Sequence, residues 1–96
     1  MSAYVLAVLN VTNPEGFQEY ADLALPSLAE FGVKPLAVGP ATALEGTNPR
    51  QRYVLLEFPD MAAVQAWYDS PAYQAAIPLR LRNSDTGFLV AVQGLG

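Results

Sequence analysis

The sequence has 96 residues, of which 52% are apolar and only 15% charged, against a usual charged share of about 25%. Five basic and nine acidic residues leave a net charge of −4. Lys34, Arg50, Arg52, Arg80 and Arg82 are scattered, which argues against nucleic acid or an anionic membrane surface as partner. There is no histidine and no cysteine. Their absence excludes a His general base, a Ser-His-Asp triad, a His haem ligand, a His-containing zinc site and all thiol chemistry.

A chain of this length makes one domain, residues 1–96, with one core. The lack of cysteine fits the cytoplasm. No basic amino-terminal region and no apolar run of about 18 residues occurs, so neither a signal peptide nor a membrane span is expected.

Along the chain, Ala3 to Val11 is rich in β-branched and aromatic residues and reads as a strand. Helix-start chemistry follows, either Asn13 as N-cap before Pro14 or a Thr12-Glu15 capping box. Phe17, Tyr20, Ala24, Leu28 and Phe31 then recur at helical spacing, with a kink predicted at Pro26 and a stop at Gly32. Val33 to Gly39 reads as a second strand, placed at a sheet edge by Pro35 and Lys34. A loop with turn signals at Glu45-Gly46 and Asn48-Pro49 leads to a third strand, Arg52 to Phe58. Asp60 caps a helix carrying Met61, Val64, Trp67 and Tyr68 on one side. Ser70-Pro71 restarts it, and Pro78 is predicted to break it, leaving Arg80 in an irregular turn. Ser84 and Asp85 read as cap or turn residues, and Gly87 to Gln93 as the last strand.

The order β-α-β-β-α-β is ferredoxin-like α+β, with an antiparallel four-stranded sheet and the first and third strands central. In such a fold helices cover one face of the sheet and water the other, so each strand should alternate apolar and polar. These strands do not. Tyr4, Leu6 and Val8 oppose Val5, Ala7 and Leu9, and Phe88, Val90 and Val92 oppose Leu89 and Ala91. Two apolar faces predict a homodimer packed sheet against sheet.

The stretch "YVLLEFPDMAAVQAWYDSPAYQAAIPLR" resembles the bacterial family called domain of unknown function 1330. The resemblance rests on Glu57-Phe58-Pro59, Trp67-Tyr68, Ser70-Pro71-Ala72-Tyr73-Gln74 and Leu79-Arg80. The amino-terminal half and "ALEG" resemble the family too. The resemblance implies a dimeric α+β barrel and no particular activity. Similar barrels include cofactor-free monooxygenases, muconolactone-type isomerases, dye-decolourising peroxidases and chlorite dismutases. Where members carry "YGGRF" after the first helix, this chain has "FGVKPL", so a pocket wall built there should differ.

Glu57 is the candidate catalytic residue, a carboxylate near the end of a central apolar strand, where an unpaired charge is costly. It reads either as a general base facing a cavity between sheet and helices, or as the partner of Arg52, Arg80 or Arg82 or of solvent. Trp67, Tyr68 and Tyr73 are candidate ligand-binding walls, with Tyr73 the more interesting tyrosine, or ordinary core and dimer packing. Arg80 is a candidate clamp for a ligand carboxylate, or a partner of helix carbonyls or Glu57. Tyr20 and Asn10 are weaker pocket candidates. No metal-ligand spacing or phosphate-cradling glycine pattern occurs, so no metal and no cofactor is expected. The chemistry that remains is a cofactor-free pocket for a small apolar or carboxylate-bearing molecule. The alternative is a non-catalytic dimeric scaffold or regulatory module.

Overall fold

The computed structural model describes residues 1–47 and 50–95. The expected turn at Asn48-Pro49 lies outside them. The elements run β1 (Ala3–Val11), α1 (Pro14–Glu30), β2 (Lys34–Gly39), β3 (Arg52–Phe58), α2 (Met61–Asp69), α3 (Pro71–Asn83) and β4 (Ser84–Gln93). The strands form one four-stranded sheet in the order β2-β3-β1-β4, with every neighbouring pair antiparallel. This is the ferredoxin-like arrangement, with β1 and β3 central and the proline-bearing β2 at an edge.

Each helix boundary has a local cause. Asn13 is the N-cap of α1 and Pro14 its first residue. The Asn13 side chain does not cap the helix; it donates to Asn83 Oδ1 at 3.1 Å. The Asn83 carbonyl in turn accepts from the Thr12 and Asn13 amides, at 3.0 and 3.1 Å, so the end of α3 fastens the start of α1. A methyl group added at Gly16 would run into the Asn83 side chain, so the close approach of these two helices requires glycine there. Helix α1 ends in a Schellman motif. Gly32 adopts φ +68°, its amide donates to the Ala29 carbonyl, and the Val33 amide donates to the Leu28 carbonyl. Asp60 caps α2 by accepting from the Ala63 amide at 2.7 Å. Ser70 ends α2 and caps α3 by accepting from the Tyr73 amide.

The expected break at Pro78 does not occur. Helix α3 continues to Asn83, and Arg80 lies within its last turn rather than in an irregular turn. Pro78 is exposed, and so is Gln74, whose carbonyl loses its helical donor. Water can serve that carbonyl, which is how a helix tolerates an internal proline. Pro26 and Asp22 stand in the same relation in α1, which runs unbroken past them.

The core fills the layer between the helices and one sheet face. Val5, Leu56 and Phe58 pack from the sheet, Ala24 and Leu28 from α1, Val64 and Trp67 from α2, and Tyr73 and Ala76 from α3. The opposite face carries Tyr4 and Leu6 from β1, Tyr53, Leu55 and Glu57 from β3, and Phe88, Val90 and Val92 from β4. Phe88, Val90 and Val92 are 39%, 42% and 57% exposed, an apolar strip without cover in one copy of the chain. The sheet pairing is regular except at two bulges. Leu36 is the extra residue in β2, and Gly87 is the extra residue in β4.

Candidate functional site

The bulge at Gly87 shapes the site. From Phe88 onward β4 alternates simply, with Leu89 on the helix-covered face. Continued backward, that alternation would turn Thr86 to the open face. The extra residue pairs Leu9 with Thr86 instead and turns Thr86 toward the helices.

A cavity of about 180 Å³ lies between α1 and this covered face. Phe17, Tyr20, Ala24 and Leu28 form its helical wall, and Ala7, Leu9, Val54 and Leu56 its sheet wall. Leu25, Pro35 and Val38 are exposed lining residues and mark its mouth beside β2. Pro35 is thus part of the wall. Trp67, Tyr73 and Arg80 close the inner end. Arg52 stands at the rim, its guanidinium 5.5 Å from the centre of the Phe17 ring.

The inner end is ordered by aromatic packing and a short polar chain. The Trp67 and Tyr73 rings lie 4.1 Å apart, and Trp67 also packs on Phe58 at 5.3 Å. The Trp67 indole N–H donates to Ser27 Oγ at 3.1 Å, and that hydroxyl donates to the Ala24 carbonyl. Arg80 Nη1 donates to the Tyr73 hydroxyl at 2.8 Å, and the Tyr73 and Tyr20 hydroxyls are 2.9 Å apart. Tyr73 is fully buried and Tyr20 only partly. The Tyr73 hydroxyl accepts from Arg80, and either tyrosine hydroxyl can be the donor in the bond between them, so the buried hydroxyl is satisfied. Burial and the neighbouring Tyr20 push the Tyr73 hydroxyl well above the ordinary tyrosine range, and Arg80 opposes this only in part. Tyr73 is therefore a neutral hydrogen-bonding group, not a base.

Arg80 is 7% exposed. No carboxylate lies within 4.0 Å of its guanidinium among the described residues, whose ion pairs are Lys34–Glu57 and Arg50–Asp85. Among the described residues its Nε has no hydrogen-bond partner, and neither has the buried hydroxyl of Thr86. A second, more open cavity of about 400 Å³ lies against β4, lined by Val64, Gln65, Tyr68, Leu81 and Ala91 among others. Trp67, Arg80, Thr86 and Leu89 line both cavities and form the partition between them.

Of the sequence candidates, the structure brings Trp67, Tyr73, Arg80 and Tyr20 together and separates Glu57 from them. Glu57 lies on the open face, not in a cavity between sheet and helices. It pairs across the sheet with Tyr4 and Lys34, accepting from the Tyr4 hydroxyl at 3.2 Å with the Lys34 ammonium 4.0 Å away. None of the arginines proposed for it is its partner. The reason is the strand alternation: Leu56 and Phe58 face the helices, so Glu57 between them cannot. No carboxylate lines the first cavity among the described residues. Asn10 also falls outside the site and accepts from the Gln51 amide at 2.7 Å. Ser84 caps the end of α3 by donating to the Arg80 carbonyl and opens β4, while Asp85 pairs with Arg50. Ser27 and Thr86 belong to the site and carry no signal in the sequence.

A model of the family described as domain of unknown function (DUF1330) matches residues 2–95. The chain belongs to this family. No curated protein matches it. Among solved structures it is similar to the RPA0582 protein of unknown function from Rhodopseudomonas palustris, at TM-score 0.78 and 18% identity, covering 99% of this chain and 83% of that one. It is also similar to a dimeric ferredoxin-like protein of unknown function from Jannaschia sp. CCS1, at TM-score 0.70 and 21% identity, covering 98% and 100%. A third similar structure is SnoaB, a cofactor-independent oxygenase from Streptomyces nogalater, at TM-score 0.64 and 12% identity, covering 99% and 94%. At these identities the likeness shows the fold alone. No helix among the described residues is long and apolar enough to cross a membrane.

Proposed function

We propose that this DUF1330 protein is a cytoplasmic homodimer, each subunit one α+β barrel domain. Each subunit binds one compact, largely apolar molecule in the cavity between α1 and the sheet, without a cofactor. Trp67 and Tyr73 are the walls against which the molecule packs, and Arg80 anchors its polar end. The observation that carries this reading is Arg80 itself: a buried guanidinium at the inner end of an apolar cavity, held by Tyr73 and without a carboxylate partner among the described residues. A buried charge without a counter-charge is costly, and proteins keep such groups where a ligand supplies the missing partner. The dimer is supported by the uncovered apolar strip on β4 and by similar proteins from Jannaschia and Thermobifida fusca that are described as dimeric.

The chemistry of the site favours binding over acid–base catalysis. Glu57 is on the other face, and Tyr73 holds its proton, so a reaction here would have to draw its base from the bound molecule. The cavity volume favours a second reading. About 180 Å³ is below the roughly 300 Å³ usual for small-molecule sites, which suits a non-catalytic dimeric scaffold or regulatory module.

Native mass spectrometry of the purified protein separates the two. The binding reading expects a dimer carrying a small added mass that Arg80→Ala loses. The scaffold reading expects a bare dimer from both. A monomer at micromolar concentration would remove the dimer from either reading.

A further inference from the structure

We infer that the partition between the two cavities is a carboxylate site, in which Arg80 Nε and the Thr86 hydroxyl together bind the acid group of a short-chain or monocyclic carboxylic acid. The inference rests on the proposed binding cavity and specifies its ligand.

The observations converge on one place. Arg80 and Thr86 both line both cavities. The Arg80 Nε and the Thr86 hydroxyl are buried and lack hydrogen-bond partners among the described residues. Unsatisfied buried donors are rare in folded proteins, because each forfeits its hydration without replacement. Two at one partition, one of them on a charged group, describe the donor set for an anionic oxygen. Arg80 is not free to turn away, because its Nη1 is held by Tyr73 and Tyr73 by Tyr20. Thr86 faces the partition only because of the Gly87 bulge, a device strands use to re-aim a side chain.

The two cavities divide the ligand's parts. The α1 cavity offers apolar walls for a ring or short chain. The more open cavity, with Gln65 and Tyr68 in its lining, lies on the other side of the partition. The small volume of the α1 cavity limits the apolar part to something compact.

The sole tryptophan, Trp67, is in the partition and reports occupancy by its fluorescence. The test titrates wild type, Thr86→Val and Thr86→Ser with matched pairs: benzoate and benzamide, cinnamate and cinnamamide, hexanoate and hexanamide. At least one acid is expected to bind wild type tenfold or more tightly than its amide. Thr86→Val should weaken that acid by about fivefold to thirtyfold and leave the amide within about twofold, a change equivalent to roughly 1–2 kcal/mol. Thr86→Ser, which keeps the hydroxyl, should retain the preference. Equal binding of acids and amides would overturn the carboxylate site and leave the cavity reading standing. Acid affinity unchanged in Thr86→Val would mean that a buried water, not a ligand, satisfies the threonine, and would also overturn it. Failure of every acid and amide to bind wild type would remove both readings.

Discussion

The two faces of the sheet are built from the same strands and are almost equally apolar, yet they handle their polar groups in opposite ways. On the helix-covered face, Arg80, Tyr73, Tyr20 and Thr86 gather at the end of a cavity, and Arg80 has no carboxylate beside it among the described residues. On the open face, Glu57 lies between Tyr4 and Lys34, and the rest is an apolar strip that includes Phe88, Val90 and Val92. A face whose charge has a partner and whose apolar side chains have none is suited to another protein surface. A face whose apolar side chains are packed and whose charge lacks a partner is suited to a small anion. The difference separates assembly from binding within one sheet.

The largest effect expected from breaking this division is on assembly. Val92→Asp should cost about 3 kcal/mol or more per dimer, because one apolar side chain is lost from each copy, and should weaken association about a hundredfold or more. Sedimentation across a concentration series reads this directly, and a mass independent of the substitution would show that the open face is not the interface.

Next in size is Tyr73→Phe, which leaves Arg80 Nη1 without its acceptor and Tyr20 without its partner. Urea unfolding should show a loss of about 1–3 kcal/mol with an unchanged slope. The same residue gives a pH signature. Above about pH 10 an unfolded tyrosine releases its proton while buried Tyr73 keeps it, so the folded state binds more protons and stability falls as pH rises. That part of the decline should be missing in Tyr73→Phe, and a decline of equal slope in both proteins would refute the buried neutral hydroxyl.

The smallest effect belongs to Glu57→Gln. Its partner Lys34 is on an edge strand with its side chain 72% exposed, and such pairs contribute about 1 kcal/mol at most. Affinity for the preferred acid should stay within about twofold; a loss comparable to that of Arg80→Ala would return Glu57 to the site.

What was legible in the sequence follows from what sets each feature. Strand order and helix limits depend on local chemistry, such as Asp60 and Ser70 as caps, Gly32 as a stop and Pro35 on an edge, and all of these appear in place. The apolar character of both sheet faces was readable too, because a period of two separates residues into two sets. It does not say which set faces the helices, and that is why the sequence leaves Glu57 open between a cavity-facing base and a paired or solvated carboxylate, of which the cavity-facing position fails. Thr86 was invisible for a related reason: one bulge residue inverts every position before it. The break expected at Pro78 fails because a proline's cost depends on whether the carbonyl it strands is wet, which is a property of the packed helix and not of the residue.

The most direct test is a crystal structure of the protein grown with the acid that binds it most tightly. Two copies packed through their open faces are expected and, in each, a carboxylate within hydrogen-bond distance of Arg80 and Thr86. An acid bound beside Glu57, or a cavity holding only water on those two residues, would contradict this.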